Sequence, residues 1–285
     1  MAVHFVDWFT DPELPIGGFQ AELELAEYVV IGLPFDETAS FREGCADAPD
    51  AIRYYANNIE PINVFTGRDI AESMICDLGN LTFNRREDLF SKVQSILQQT
   101  HDKTPVLLGG EHTITAAVTE RYKNHLFIML DAHADLRDSY NGRWSHACTA
   151  RRVIDSIGAG SMIQFGIRAI SREELEFAKE MKISQYFAHE WSPKTEKELL
   201  LEVNERIESY DGIYLTLDMD GFDPAYVPGV GNPEPLGLST REVFSILSKL
   251  PKIDGFDITE LNPSFDPSGT SQSVAARLAL FLMSR

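Results

Sequence analysis

The sequence predicts an α/β protein, a three-layer α/β/α architecture built around a mostly parallel sheet of about eight strands. Three observations support this fold class. Short apolar runs recur along the chain, stretches with helical spacing lie between most of them, and no low-complexity segment or Pro/Ser-rich linker divides the 285 residues. Although a chain of this length could form two small domains, we expect residues 1–285 to form a single one.

Eight apolar runs have the length and composition of buried strands. Their nearly continuous apolar character, rather than strict alternation, is typical of strands that are covered on both faces of a parallel sheet. In such sheets, ligands bind at the carboxyl ends of the strands. In chain order, the predicted strands are Glu27–Leu33, Met74–Leu78, Pro105–Leu108, Leu126–Leu130, Met162–Gly166, Ser184–Ala188, Ile213–Leu217 and Ile253–Ile258.

Amphipathic stretches with helical spacing separate most of these runs and predict the crossover helices that a parallel sheet requires. Residues of the capping type open three of them, and we expect Ser171, Thr195 and Ser239 to accept hydrogen bonds from the first turn of each helix. The predicted helices include Arg86–Gln99, Arg172–Met181, Lys197–Ile207 and Thr240–Leu250.

The chain is strongly acidic, with 44 Asp and Glu side chains against 25 Lys and Arg, a formal net charge of −19 at pH 7. Nucleic acids and anionic membrane surfaces are bound through clustered basic side chains, so the charge argues against both as partners. It favours cationic ligands instead. An acidic surface that only aids solubility would show the same composition.

No apolar run approaches the length that a membrane-spanning helix requires. The first basic residue is Arg42, so the amino terminus lacks the basic region of a signal peptide, and we predict a cytoplasmic protein. The three cysteines, Cys45, Cys76 and Cys148, are odd in number and widely spaced, which fits neither a disulfide framework nor a CxxC zinc site. We expect buried, unpaired thiols.

Acidic and imidazole side chains directly follow two of the predicted strands, at the edge where a parallel sheet binds ligands. Extended chain has a side-chain period of two, so residues at alternate positions can point the same way. After the fourth predicted strand these residues are Asp131, His133 and Asp135, and after the seventh they are Asp218 and Asp220. The two sets are therefore expected to meet.

His112 follows the third predicted strand in the sequence Gly109-Gly110-Glu111-His112, whose glycines allow close approach of the backbone. It completes a set of four carboxylates and two imidazoles, which suits Mn²⁺; Zn²⁺, Co²⁺ and Ni²⁺ are alternatives, whereas an all-oxygen Ca²⁺ site is not expected. Isolated strand-end aspartates usually form turns or caps, but four buried together would repel one another without a metal. The cluster therefore predicts a site for two divalent cations.

The same motifs resemble those of the ureohydrolase family, which includes arginases and agmatinases. The resemblance rests on Gly109–His112, Asp131–Asp135, Asp218–Pro224 and Asp257–Pro263, and it extends over nearly the whole chain. It implies an eight-stranded parallel sheet, two Mn²⁺ per subunit, a small cationic guanidine substrate, and a homo-oligomer that is a trimer or a hexamer.

The resemblance also implies a role for each predicted ligand. Two aspartates would bridge the metal ions, and each ion would have one further histidine and one further aspartate. A water molecule shared by two cations supplies hydroxide at neutral pH, which would attack the guanidinium carbon and release urea and an amine. The bridging residues would be Asp131 and Asp218, with His112 and Asp135 on one ion and His133 and Asp220 on the other.

Two further residues look functional by resemblance. His146 matches a loop histidine that shuttles protons, which an amine leaving group needs. Glu260 matches a carboxylate that holds the guanidinium, whose planar fork suits bidentate pairing. We predict that Asp135, a predicted metal ligand, is a catalytic residue together with His146 and Glu260. The alternative interpretations are an ordinary loop histidine and a surface glutamate.

The segment Leu136–Trp144 bears on the substrate, because arginases use an Asn- and Ser-rich loop there to meet the α-carboxylate of arginine. Here the segment is shorter and resembles the agmatinase branch, so we favour agmatine, which would yield urea and putrescine. Aminopropylagmatine, guanidinobutyrate and arginine are alternatives that share the guanidinium group. A non-catalytic metal-binding regulatory protein and a zinc deacylase are alternatives from other classes.

Two departures from the family pattern bear on this choice. Glu111 replaces the Asp that is common before the metal-binding histidine, and Gly44–Pro49 lacks the Arg and the Gly-Pro often seen in agmatinases. Neither departure removes a predicted ligand. The second lies near a region where members of the family differ.

Overall fold

Nine strands form one sheet in the computed structural model, which describes residues 5–285. In chain order, β1 to β9 are Phe9–Thr10, Tyr28–Leu33, Ile75–Leu81, Thr104–Gly109, Leu126–Leu130, Met162–Ile167, Ser184–Phe187, Ile213–Asp218 and Gly255–Thr259. Their order in the sheet is β1-β3-β2-β4-β9-β8-β5-β6-β7. All neighbouring strands are parallel except β1, which pairs antiparallel with β3.

Helices on both faces of the sheet complete three layers. In chain order, α1 to α7 are Ala48–Ala56, Arg86–Gln99, Thr149–Ile157, Arg172–Met181, Pro193–Ile207, Thr240–Lys249 and Thr270–Met283. Side chains of α1, α5, α6 and α7 enter one core, and those of α2, α3 and α4 enter the other. Between residues 5 and 285, no helix is both long and apolar enough to cross a membrane.

Alternate side chains of each central strand enter different cores, which is why the strands read as continuous apolar runs. In β5, Ile128 and Leu130 belong to one core, whereas Phe127 and Met129 belong to the other. All four are at most 1% exposed. The predicted three-layer fold with a mostly parallel sheet is therefore confirmed, and the predicted count of about eight strands is close to the nine observed.

Several elements were not predicted from the sequence. Strand β1 has only two residues, too few for a periodic signal. Helices α1 and α3 have only nine residues each, so each gives few repeats of a helical pattern. Helix α7 is buried at every position from Leu278 to Met283. A helix that is buried all round lacks the polar face on which helical periodicity depends.

The predicted caps are confirmed in two cases and wrong in one. Ser171 and Ser239 cap α4 and α6, and each forms a capping box with the glutamate three residues later. Thr195, by contrast, lies inside α5. That helix begins earlier, at Pro193, and its cap is Ser192, whose side chain accepts a hydrogen bond from the Thr195 backbone. Proline suits the first helical position because it has no N–H to satisfy there.

A buried ion pair ties α1 to β3. Arg53 Nε and Nη2 donate to the two carboxylate oxygens of Asp77, each at 2.9 Å, and both side chains are almost completely buried. The third nitrogen of Arg53 donates to Asn80 Oδ1 at 2.6 Å, and Asp77 Oδ2 also accepts from the Ile16 backbone at 2.9 Å. The pair is thus bidentate and well hydrogen-bonded, the condition under which a buried ion pair is tolerated.

We expect Asp77→Ala to lower the free energy of unfolding by about 3–5 kcal/mol, because it leaves a buried guanidinium without its counter-charge. Equilibrium unfolding in urea measures the loss. Asp50→Ala is the matched control: Asp50 also contacts Arg53, at 3.3 Å, but its side chain is 70% exposed, and the expected loss is below about 1 kcal/mol. Equal losses in the two variants would contradict the structural importance of the buried pair.

Candidate functional site

Four adjacent strands lead to the site. In the sheet β4, β9, β8 and β5 are neighbours and run parallel, so their carboxyl ends lie at one edge. The segment after β4 contains His112, and the segment after β5 contains Asp131, His133 and Asp135. Asp218 is the last residue of β8, and Glu260 directly follows β9. The edge that the sequence predicted is therefore the edge where these side chains meet.

His112 faces three carboxylates. Its Nδ1 lies 3.1 Å from Asp218 Oδ2, 3.2 Å from Asp131 Oδ2 and 3.5 Å from Asp135 Oδ2. All four side chains are buried. His112, Asp131 and Asp135 each offer a ligand atom, and these atoms lie within 4.8 Å of one another. One divalent cation could be held at this point.

A second group of potential ligands shares Asp131 with the first. His133 Nδ1 lies 2.9 Å from Asp220 Oδ2 and 3.7 Å from Asp131 Oδ1, and the three residues offer ligand atoms within 4.8 Å of one another. Asp131 thus belongs to both groups, as a bridging ligand must. The structure brings all six predicted metal ligands together in one cluster.

The aspartates present one oxygen each to the cluster because a backbone amide holds the other. Asp218 Oδ1 accepts from the Asp220 amide at 2.8 Å, and Asp220 Oδ1 accepts from the Ala132 amide at 3.0 Å. Asp131 Oδ1 accepts from the His133 amide at 2.6 Å, while its buried Oδ2 has no hydrogen-bond partner. Three carboxylates are therefore oriented in advance of any ligand.

A relay of hydroxyl groups fixes the orientation of His112. Its Nε2 lies 2.8 Å from Thr216 Oγ1, which donates to Asp257 Oδ1 at 2.6 Å. Since that hydroxyl proton is committed to Asp257, Thr216 accepts from His112, and Nε2 carries the ring proton. Burial would lower the pKa of His112, but the three carboxylates around Nδ1 raise it well above its usual value. A bound cation would replace the Nδ1 proton and use the lone pair of that nitrogen. A nitrogen lone pair among carboxylate oxygens suits a metal cation, so the residues present fit the predicted ions.

Burial and mutual repulsion explain why the cluster needs positive charge. Burial, together with the charge of Asp131, raises the pKa of Asp135 to about 7. Burial, together with the charges of Asp220 and Asp131, also raises the pKa of Asp218 well above its usual value. Divalent cations would remove this penalty, because they let all four carboxylates stay ionised at neutral pH.

Two site residues have left-handed backbone conformations that side-chain-bearing residues rarely adopt: Asp135 at φ 52° and Glu260 at φ 61°. Each such residue costs on the order of 1–3 kcal/mol unless its surroundings hold it. Near Asp135, the Arg151 amide donates to the Asp135 carbonyl at 2.9 Å, and the Leu136 amide donates to Glu174 Oε1 at 3.1 Å. Asp135 and Glu260 are two of five such non-glycine residues in the described part of the chain, and the others, Asn141, Lys182 and Leu236, are not among the site residues.

His146 and Glu260 lie next to the cluster and contact each other. His146 Nδ1 is 3.2 Å from Glu260 Oε1, which also accepts from the His112 amide at 2.8 Å. The other imidazole nitrogen, Nε2, is buried without a partner. Burial would lower the pKa of His146, but the charge of Glu260 outweighs it and raises the pKa to about 9. The imidazole is therefore protonated at neutral pH in this arrangement.

A cavity of about 280 Å³ opens onto these groups. The cluster residues His133, Asp135, Asp218 and Asp220 line it together with His146 and Glu260, and so do residues from the segment after Asp135 and from the start of α4. A small molecule in this cavity can touch the cluster, the imidazole and the glutamate at once. The remaining lining residues include Ser40, Arg137, Tyr140, Ala169, Ile170, Ser171, Glu174 and Asn232.

One geometric expectation was only partly met. Asp218 ends β8, but Met219–Gly221 form a turn of 3-10 helix, so Asp218 and Asp220 do not lie on the extended chain that was predicted. They converge because the Asp220 amide binds the Asp218 side chain. The expected close approach at the glycines is observed, since a Cβ on Gly110 would collide with the carbonyl oxygen of Phe35.

Sequence reasoning missed the residues that support the ligands. Thr216 and Asp257 are buried in the strands, and Cys45 donates to Glu260 Oε2 at 3.7 Å. The signal for the first two was present, because a threonine and an aspartate inside otherwise apolar strands need buried hydrogen-bond partners. Nothing in the sequence connects Cys45 with Glu260, since 215 positions separate them.

The model of the arginase family matches residues 26–284. An agmatinase from Pyrococcus horikoshii is 35% identical over 95% of this chain and 94% of its own, and an N(1)-aminopropylagmatine ureohydrolase from Thermococcus kodakarensis is 35% identical over 84% of both chains. The crystal structure of agmatine ureohydrolase of Thermoplasma volcanium superposes with a TM-score of 0.88 at 35% identity, covering 100% of this chain and 97% of that one.

The chain therefore belongs to the arginase family, a family of binuclear metal enzymes. It is a ureohydrolase, an enzyme that hydrolyses a guanidino group. The family match extends over all the residues of the cluster as well as His146 and Glu260.

We expect the metal-free protein to be stabilised when Mn²⁺ is added, because cations relieve the repulsion among the buried carboxylates. At a free ion concentration about 100 times Kd, the gain is about 2.7 kcal/mol. Differential scanning calorimetry with and without the ion measures it as a rise in Tm. Asp131→Asn, which alters the residue shared by both groups, should suppress most of the rise, while the exposed Asp138→Asn should preserve it. An unchanged rise in Asp131→Asn would contradict the shared position.

Proposed function

We propose that the protein hydrolyses agmatine to urea and putrescine, with two divalent metal ions held by the Asp/His cluster. One observation carries the proposal: His146 and Glu260, hydrogen-bonded to each other, share a cavity with the cluster. An acidic metal cluster alone would suit many hydrolases. A carboxylate to hold a guanidinium, next to an imidazolium that can protonate an amine, suits this reaction in particular.

We propose that each of the two groups of potential ligands in the cluster holds one metal ion. Mn²⁺ is the preferred ion because the donor set mixes carboxylate oxygens with imidazole nitrogens. When bound, two divalent cations would supply a hydroxide at neutral pH by lowering the pKa of a shared water molecule. We assign Asp131 and Asp218 as bridging ligands, His112 and Asp135 to one ion, and His133 and Asp220 to the other.

Glu260 is proposed to hold the guanidinium group. Its Oε1 is already used by His112 and His146, which leaves Oε2 with only the weak Cys45 thiol contact at 3.7 Å. Burial alone would raise the pKa of Glu260, but the charge of His146 lowers it below its usual value, so the carboxylate is ionised. An ionised carboxylate with a free oxygen can accept a charge-assisted hydrogen bond from a guanidinium N–H.

His146 is proposed to donate the proton that the leaving amine needs. Its Nδ1 faces Glu260, and its unpartnered Nε2 is the atom left to donate. In the overall reaction, water adds its oxygen to the guanidinium carbon, the bond from that carbon to the alkylated nitrogen breaks, and the nitrogen leaves protonated. Urea and an alkylammonium ion result, so charge and protons balance.

The residues that line the cavity support the proposal that agmatine is the substrate. Ala169 and Ile170 offer apolar surface for its methylene chain, and the polar groups of Ser171 and Asn232 offer acceptors for its ammonium group. The net charge of −19 also favours encounter with a dication. The relatives named above, an agmatinase and an aminopropylagmatine ureohydrolase, support a substrate of this class.

Guanidinobutyrate is the second candidate, because one residue favours it. Arg137 lines the cavity, and its nearest contact with Glu174 is 3.7 Å, longer than a hydrogen bond. Its guanidinium could therefore pair with a carboxylate at the end of a substrate tail. Agmatine has no such group.

A substrate panel tests the proposal. Protein loaded with Mn²⁺ is incubated with agmatine, aminopropylagmatine, guanidinobutyrate or arginine, and urea is assayed; we expect the highest kcat/KM with agmatine. Higher kcat/KM with guanidinobutyrate, lost on Arg137→Ala, would favour the second candidate. No urea from any guanidine, with Ni²⁺, Co²⁺ and Zn²⁺ also tried, would overturn the proposal in favour of a regulatory protein or, if acetylated amines release acetate, a deacylase.

The pH dependence of kcat tests the role of His146. Because the protonated imidazole donates, activity is present below its pKa and is lost as the pH rises through it. The pKa is about 9 in the structure, and bound cations would move it downward, so the decline should fall at or below pH 9. His146→Ala should lower kcat at least about 10²-fold and remove this alkaline decline. Retention of the same decline in His146→Ala would assign it to another group.

The oligomeric state, a trimer or a hexamer, is still a prediction. The cytoplasmic location is also a prediction. Membership of the arginase family supports the first, through the resemblance described above. Multi-angle light scattering after size-exclusion chromatography would give the number of subunits.

A further inference from the structure

The buried Glu111 makes contacts that reach well beyond its own loop. Its side chain is fully buried. Its Oε2 accepts from the Thr38 amide at 2.6 Å. Its Oε1 accepts from the hydroxyl groups of both Thr38 and Thr113, the latter at 2.7 Å. Glu111 thus holds Thr38 at two points, through backbone and side chain.

Thr38 in turn contacts the backbone of His146. The His146 amide donates to Thr38 Oγ1 at 3.1 Å. A threonine hydroxyl has one proton to donate and lone pairs to accept with. Here the proton goes to Glu111 and a lone pair accepts from His146, so the hydroxyl can serve both contacts at once. Glu111, Thr38 and His146 form a continuous chain of hydrogen bonds.

The hydrogen bond from the His146 amide to Thr38 lies at the start of a helical turn that has no local cap. His146 opens the 3-10 helix His146–Cys148, and the preceding residue, Ser145, makes no side-chain hydrogen bond to cap it. The first N–H groups of any helix lack partners within the helix. Thr38, 108 positions away along the chain, satisfies the N–H of His146 in place of a local cap.

The position of His146 matters for its contact with Glu260. The distance from Nδ1 to Glu260 Oε1 is 3.2 Å, at the long end of the hydrogen-bond range. A small displacement of the His146 backbone would therefore break this contact and move Nε2 relative to the substrate. Efficient proton donation requires placement within hydrogen-bond reach.

We propose that Glu111 and Thr38 are positioning residues that hold His146 against Glu260 through the Thr38 hydroxyl. The inference rests on the proposed function, since it concerns the proton donor of that reaction. Neither residue lines the cavity or belongs to the two groups of potential metal ligands.

Thr38→Val tests the proposal with little change in side-chain volume. It removes the hydroxyl but keeps the backbone amide that also binds Glu111. We expect kcat with agmatine to fall about tenfold and KM to change less than about twofold. Thr38→Ser, which keeps a hydroxyl, should restore kcat to within about twofold. Thr82→Val is the matched control, because its hydroxyl donates to the Trp8 carbonyl outside the site.

A double-mutant cycle separates positioning from a general structural role. In the His146→Ala background, Thr38→Val should lower kcat less than about twofold, because the residue through which it acts is absent. Glu111→Gln should behave like Thr38→Val in both backgrounds, since its amide nitrogen cannot accept from Thr38. Equal losses of kcat with and without His146 would overturn the proposal.

Crystal structures of the wild type and of Thr38→Val give a readout that does not depend on activity. We expect the distance from His146 Nδ1 to Glu260 Oε1 to increase beyond hydrogen-bond range in the variant, and to stay near 3.2 Å in Thr82→Val. An unmoved His146 in Thr38→Val would overturn the positioning role. If the wild type releases no urea from any guanidine, the proposed function fails, while this structural comparison still decides whether Thr38 positions His146.

Discussion

The crowding of four aspartate carboxylates at one buried edge of the sheet is the constraint on which the rest of the site depends. Asp131, Asp135, Asp218 and Asp220 are each at most 6% exposed. Burial, and after it the charges of neighbouring aspartates, raises the pKa values of Asp135 and Asp218. The fold has to hold these groups in place against repulsion, and cations have to balance their charge. Rigid strand ends and backbone amides meet the first requirement.

Glu260 connects that constraint to the proposed chemistry. One of its oxygens accepts from the backbone of His112 in the metal cluster and also contacts the imidazole of His146. The same carboxylate therefore connects the predicted metal ligands with the proposed proton donor and the proposed binding place of a guanidinium. Its backbone is left-handed, at φ 61°. A displacement of any one of these groups would be transmitted to the others.

The regular part of the fold could be predicted from the sequence because each central strand carries its own signal. Runs such as Leu126–Leu130 are apolar on both sides, and α4 and α6 begin with capping boxes that involve only neighbouring residues. Elements whose burial comes from distant parts of the chain could not be predicted in this way. The C-terminal part of helix α7, Leu278–Met283, shows no polar face because every position in it is buried, and β1 exists only through its pairing with β3.

The sequence by itself predicted which six residues would meet, because strand ends of a parallel sheet lie at one edge, and their residue types predicted a metal site. The tertiary structure alone decided how these ligands are oriented. One example is the relay from His112 through Thr216 to Asp257, in which His112 and Thr216 lie 104 positions apart. Another is the chain of hydrogen bonds from Glu111 through Thr38 to His146, in which Thr38 and His146 lie 108 positions apart. Hydrogen bonds form between atoms that are close in space. The distances between residues far apart in the sequence are set only when the strands pair in register.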